Sequence, residues 1–236
     1  MMSERFWRYL QSAALLLFAA TSLTMALTVP HGGMPDEDGH ANYVRAIATG
    51  QGLPLARSVT GVVATEAADG GQPLYASAQA HHPPTYYALV AAIYGVSGRN
   101  QSALFVGGRV LGVLLGILSL LLTRSAVLTV LPQGDKLAAV GMLICAASPT
   151  FTFIMGSLNN ETLAVAIVCL GTWLAAPVLA SGRMSMVRAG LLGAALGLAL
   201  VVKLTAVVVF VPVALAFVAF ETQNAPPSHI HATQHG

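Results

Sequence analysis

Apolar residues run almost unbroken over five stretches, about 9–29, 103–123, 137–156, 160–179 and 189–220. Four of them match the roughly 20 residues that carry a helix across about 30 Å of hydrocarbon. The fifth, 189–220, holds 32 residues and a single charge, Lys203. One helix of that length would measure about 48 Å, so the run predicts two shorter helices broken near Lys203. The pattern therefore predicts an all-α integral membrane protein with about six transmembrane helices, occupying residues 1–220.

Segment 83–98 (PPTYYALVAAIYGVSG) does not fit that scheme. Its apolar part, Thr85 to Val96, would be only about 18 Å long as a helix, too short to cross. Tyr86, Tyr87 and Tyr94 suit a membrane interface. Charge separates the two topologies. If the segment crosses, Arg124, Lys136, Arg183 and Arg188 fall in outer loops. If it lies in the interface, all four are cytoplasmic, as the positive-inside rule favours. The first run follows Arg5 and Arg8 and reads as an uncleaved helix with a cytoplasmic amino terminus. The expected arrangement is a multi-pass chain with both ends inside and a long outer loop, about 30–102, carrying interfacial helices. Six of the nine acids (Asp36, Glu37, Asp38, Glu66, Asp69, Glu161) then lie outside.

Composition agrees. Apolar residues make up 56% of the chain and charged residues 8%, with a mean hydropathy of +0.72. Soluble domains carry about a quarter charged residues, so a chain this poor in charge must face lipid. A net charge of +2 gives no basis for binding nucleic acid. Cys145 and Cys169 lie in apolar runs and read as small hydrophobes, not a disulfide. Gly108, Gly112 and Gly116, and again Gly193 and Gly197, recur every fourth residue, a spacing that lets helices approach closely.

The candidate chemistry lies in the outer loop. Pro35 followed by Asp36, Glu37 and Asp38 starts a helix, and Gly50 ends it. On that helix Asp36 and His40 are four apart and Glu37 and His40 three apart, so they share a face. Such a set suits a general base or a metal; a solvated acidic helix start has the same spacing. His81-His82-Pro83-Pro84 could hold a phosphate or orient a base. Three further polar residues stand out from apolar surroundings: Arg109, Lys203, and Glu161 preceded by Asn159 and Asn160. An ionisable residue in or near a span is a functional candidate, although Arg109 and Lys203 could also snorkel and Glu161 could simply start a helix. The expected topology puts all of them on one side.

Four segments in order, PDEDGH at 35–40, HHPPTYY at 81–87, SP followed by NNE at 148–161, and GLALVVKLT at 197–205, resemble the N-terminal half of a GT-C superfamily glycosyltransferase. The likeness is to protein O-mannosyltransferases and aminoarabinose transferases, and most of all to bacterial membrane proteins with a PDExxH loop. It implies an inverting transferase in a bacterial plasma membrane that moves a sugar from a polyprenyl-phosphate donor to an extracytoplasmic acceptor. Asp36 or Glu37 would be the catalytic carboxylate that deprotonates or positions the acceptor. His40, His81, His82, Arg109, Asn159, Glu161 and Lys203 would bind donor phosphate or substrate.

The resemblance has two departures. Asn159 stands where the oligosaccharyltransferase branch often has Asp, and one carboxylate fewer disfavours a divalent cation, so no metal ligand is assigned. The chain also stops after the KLT segment, where relatives continue, so a truncated relative or a second membrane protein completing the fold is expected. Residues 221–236 are polar, include His229, His231 and His235, and read as a disordered tail. The alternatives from other classes are a non-catalytic membrane partner and a transporter component.

Overall fold

The computed structural model describes residues 3–56, 64–65 and 74–224. Glu66, Asp69 and the three tail histidines lie outside the described residues. Helix α1 spans Glu4–Thr28, capped by Ser3, whose side chain accepts from the Phe6 amide. Helix α2 (Glu37–Ala48) follows, then three short strands, β1 (Leu55–Ala56), β2 (Ala64–Thr65) and β3 (Leu74–Ser77). The strands form one sheet in the order β1-β3-β2, with β1 parallel and β2 antiparallel to β3. The sequence pattern did not predict this sheet. Helix α3 covers Thr85–Val96, α4 Gln101–Val130, α5 Asp135–Ala147, α6 Pro149–Met155, α7 Glu161–Ser181, α8 Met186–Val202 and α9 Phe210–Asn224, with a 3₁₀ helix at Leu204–Val209.

Among the described residues, α1, α4 and α7 are long and apolar enough to cross a membrane, and α5 with α6 would make a fourth span. That pair is bent by 72°. The run 137–156 predicts one span, yet Pro149 pushes Ser148 out of the helical region (φ −76°, ψ 114°) and the Ser148 side chain caps the new helix. The break expected near Lys203 is present: α8 ends at Val202, and Lys203 is extended at φ −162°. The chain is an all-α membrane protein. Helix α9 continues through Asn224, past the expected boundary at 220.

Helix α4 packs along α7, and α1 along α5. The small stripe lets α4 lie close against α1, α6 and the turn before α7. A Cβ on Gly112 would sit 2.6 Å from the Met155 carbonyl oxygen, a backbone atom that cannot step aside. Gly193 and Gly197 behave differently. Nothing stands within 4 Å of a Cβ at either position, because that face of α8 points away from its neighbours, so the spacing alone misread them as a packing seam. Gly112→Ala should therefore cost about 1–3 kcal/mol. Gly193→Ala should be neutral or gain up to about 1 kcal/mol. Unfolding of the two variants in detergent checks this; equal stability would refute the seam.

Arg8, Arg124 and Lys136 meet at one end of the bundle. There Arg124 donates to Gln11 and Lys136 lies over the Trp7 ring. Helices α2 and α3 lie at the other end, where Tyr43, Val44, Tyr86, Tyr87, Val90 and Leu104 form a buried cluster.

Candidate functional site

The loop from α1 to α2 is anchored by one buried ion pair. Glu37 is fully buried and Arg109, on α4, is 1% exposed. Arg109 Nε donates to Glu37 Oε1 and Nη2 to Oε2, both at 2.7 Å. Its remaining N–H groups reach the carbonyls of Ala26, Val29 and Pro30 at 2.7–3.0 Å. All five guanidinium donors can thus be satisfied inside the protein. Glu37 also accepts from the amides of Gly32 and Leu158, each at 3.1 Å. One carboxylate therefore ties together the end of α1, the start of α2, α4 and the turn before α7.

This arrangement separates the two acids that the sequence left together. Asp36 is exposed and sits at the N-cap in the left-handed region (φ 59°). A non-glycine residue held there carries strain, common at functional positions. The turn starts at Gly32, whose φ of 74° favours glycine, and a Cβ there would collide with the Asp38 carboxylate at 2.5 Å. Glu37 and His40 do not share a pocket: Glu37 turns to Arg109, whereas His40 Nδ1 pairs with the Tyr87 hydroxyl at 2.9 Å.

Tyr87 belongs to an aromatic stack. Its ring lies 3.8 Å from that of Tyr43, centroid to centroid. The Tyr43 hydroxyl donates to the His82 carbonyl at 2.9 Å, which fixes the HHPP turn against α2. His81 and His82 face each other with centroids 4.0 Å apart; His81 is exposed, and its Nδ1 lies 3.0 Å from the Ala78 carbonyl. The small sheet is tied to α2 as well, since Ser77 Oγ donates to the Gly39 carbonyl at 2.7 Å.

The turn 156–160 enters from the other side. The Asn159 amide donates to the Tyr86 hydroxyl at 3.1 Å, and the Asn159 side chain caps the Glu161 amide at 2.9 Å. Lys203, at the break after α8, forms an ion pair with Glu161 at 2.6 Å and donates to Asn160 Oδ1 at 3.2 Å. Asn160 is fully buried, and its Nδ2 has no partner among the described residues. Such an unmet donor is costly unless something else supplies an acceptor.

The electrostatics show that these groups share one environment. Burial pushes the His40 imidazole down to about 3, helped by the positive charges of His82, Lys203 and His81. Burial likewise lowers His82 to about 4, with Lys203 and His81 adding to the effect and Glu161 opposing it. Both rings are therefore neutral near pH 7. Segments 36–40, 81–82, 159–161 and 203 thus meet at one end of the bundle, while Arg109 lies beneath them, turned into the protein. Among the described residues no three His, Cys, Asp or Glu side chains cluster closely enough to hold a metal ion. Sequence reasoning missed Tyr43, and it named Tyr87 and Asn160 without assigning them to the site. Tyr43 had a signal, because it follows His40 by three residues and so shares its face.

Comparison with known proteins gives one match. The family model of dolichyl-phosphate-mannose-protein mannosyltransferases covers residues 81–232, well over half of the chain. It includes His81, His82, Arg109, Asn159, Glu161 and Lys203, whereas Asp36, Glu37 and His40 precede the matched range. No curated protein and no solved structure matches the chain. With its apolar helices and this match, the chain belongs to the dolichyl-phosphate-mannose-protein mannosyltransferase family, membrane glycosyltransferases of GT-C type.

Proposed function

We propose that this protein transfers a sugar from a polyprenyl-phosphate donor to an extracytoplasmic acceptor, in a bacterial plasma membrane with its amino terminus in the cytoplasm. The observation that carries the reading is the meeting of four separated polar segments at one end of an otherwise apolar bundle, with Lys203 and two histidines on one side and the exposed Asp36 at the start of α2. Asp36 is the base. The acceptor hydroxyl oxygen attacks the anomeric carbon, the bond from that carbon to the lipid phosphate breaks, and Asp36 takes the hydroxyl proton. The phosphate leaves with the electron pair, and the single displacement inverts the anomeric centre. Lys203 compensates the departing charge, and His81 and His82 can donate hydrogen bonds to the phosphate. Glu161 holds Lys203 in place. Glu37 and Arg109 are positioning residues, because their polar atoms are engaged with protein partners.

Donor binding tests this. An anionic phosphate beside His82 raises the pKa of the ring from about 4. Binding then takes up protons. Affinity for a polyprenyl-phosphate sugar, a diester whose own charge is constant, should rise as pH falls from 8 towards 5, by at most about tenfold per unit for each proton taken up. Equilibrium binding in detergent at several pH values reads the slope, and His82→Gln should flatten it. An unchanged slope in His82→Gln removes His82 from the phosphate side. Absence of saturable binding at any pH sinks the donor assignment.

A further inference from the structure

We propose that the opposite end of the bundle carries a second site, between Arg8 and Arg124, for the phosphate head of an anionic membrane phospholipid. A cavity of about 260 Å³ opens there between α1, α4 and α5. Its polar wall is Arg8, Gln11, Ser12 and Arg124, and its apolar wall is Leu15, Leu121 and Met142.

Gln11 is the organising residue. It is 3% exposed, in a helix whose surroundings are otherwise apolar. Its amide nitrogen donates to the backbone and side-chain oxygens of Asp135 at 2.8 and 3.1 Å. Its amide oxygen accepts from Arg124 Nε at 2.6 Å. One N–H of Arg124 is thereby fixed, while the two Nη groups make no hydrogen bond among the described residues. Arg8 is similarly uncommitted. Its side chain is 62% exposed and its two ion pairs are long, 3.8 Å to Glu4 and 3.6 Å to Asp135. Around the cavity the basic residues Arg5, Arg8, Arg124 and Lys136 outnumber the acids Glu4 and Asp135.

Two guanidiniums with open donors match the oxygens of a phosphate diester, which arginine binds in pairs of parallel hydrogen bonds. The neighbouring surface favours a lipid over a free ion. Leu16 is 70% exposed, and Leu118 and Leu121 are 45% and 41% exposed. A phospholipid seated between the arginines would lay its acyl chains along these leucines; inorganic phosphate would leave them uncovered. Basic pockets between membrane helices on the cytoplasmic side are the expected place for such headgroups. The site is separate from the sugar-transfer reaction and stands or falls independently of it.

Native mass spectrometry of the purified full chain in detergent, titrated with phosphatidylglycerol or phosphatidylcholine, is the test. Phosphatidylglycerol should be retained preferentially, and the double variant Arg8→Gln/Arg124→Gln should lose that preference by roughly tenfold or more. Arg124→Lys, which keeps the charge and a donor for Gln11, should retain most of it and melt like the parent protein. Equal phosphatidylglycerol retention by parent and double variant would overturn the proposal. Displacement of the lipid by millimolar inorganic phosphate would also overturn it, by assigning the site to a free anion.

Discussion

Arg109→Ala should destabilise the protein by on the order of 3–5 kcal/mol, the expected effect of breaking one side of a buried ion pair. The substitution leaves the Glu37 carboxylate at 0% exposure with only the amides of Gly32 and Leu158 as partners. It also strips the carbonyls of Ala26 and Val29 of their donor and leaves Pro30 only the Gly33 amide, at the point where α1 gives way to the outer loop. Glu37→Gln should cost less, because an amide of the same shape still accepts from Leu158. The double variant Arg109→Met/Glu37→Leu should recover only part of the loss. Replacing a whole buried pair by apolar groups is often neutral, but here two amides and the carbonyls of Ala26 and Val29 would still lack partners, while Pro30 keeps the Gly33 amide. Unfolding in detergent of all three variants gives the comparison. If Arg109→Ala melts with the parent, the pair does not clamp the loop.

That clamp also marks where sequence reading stopped. The long spans α1, α4 and α7 were legible because lipid tolerates only long apolar runs, whereas the expected six reduce to three or four because α8 and α9 are shorter; the break at Lys203 was legible because a lone charge interrupts a run. Helix α2 was legible from Pro35, the acids and Gly50, and α3 from its length. The Glu37–Arg109 pairing was not, since 72 residues separate the partners and spacing on a helix speaks only for neighbours within a turn or so. Both residues stood out as polar in an apolar setting, yet nothing local tells a ligand-binding arginine from one that carries a buried carboxylate. The bend at Ser148–Pro149 was hidden by unbroken hydrophobicity, although the Ser-Pro pair signals it. The strands at 55–77 are too short to show an alternating pattern.

Asp36→Asn should lower transfer by about 10²–10⁴-fold, the usual contribution of a general base, while leaving donor binding and stability close to those of the parent. The geometry makes this separation readable. Asp36 is exposed, makes no side-chain bond to cap α2, and borders a helix already fixed through Glu37. Asn is among the residues that tolerate a left-handed φ, so the backbone at 59° is preserved. Glu37→Gln has the opposite signature: partial loss of stability, with any loss of transfer following the loss of folded protein. The two acids are adjacent in sequence, so a shared role predicts similar profiles and divided roles predict opposite ones. Turnover by reconstituted protein with a polyprenyl-phosphate sugar, normalised to folded protein, distinguishes them. If Asp36→Asn turns over like the parent while Glu37→Gln is folded and inactive, the base is the buried acid, and the Arg109 pair must open during the reaction.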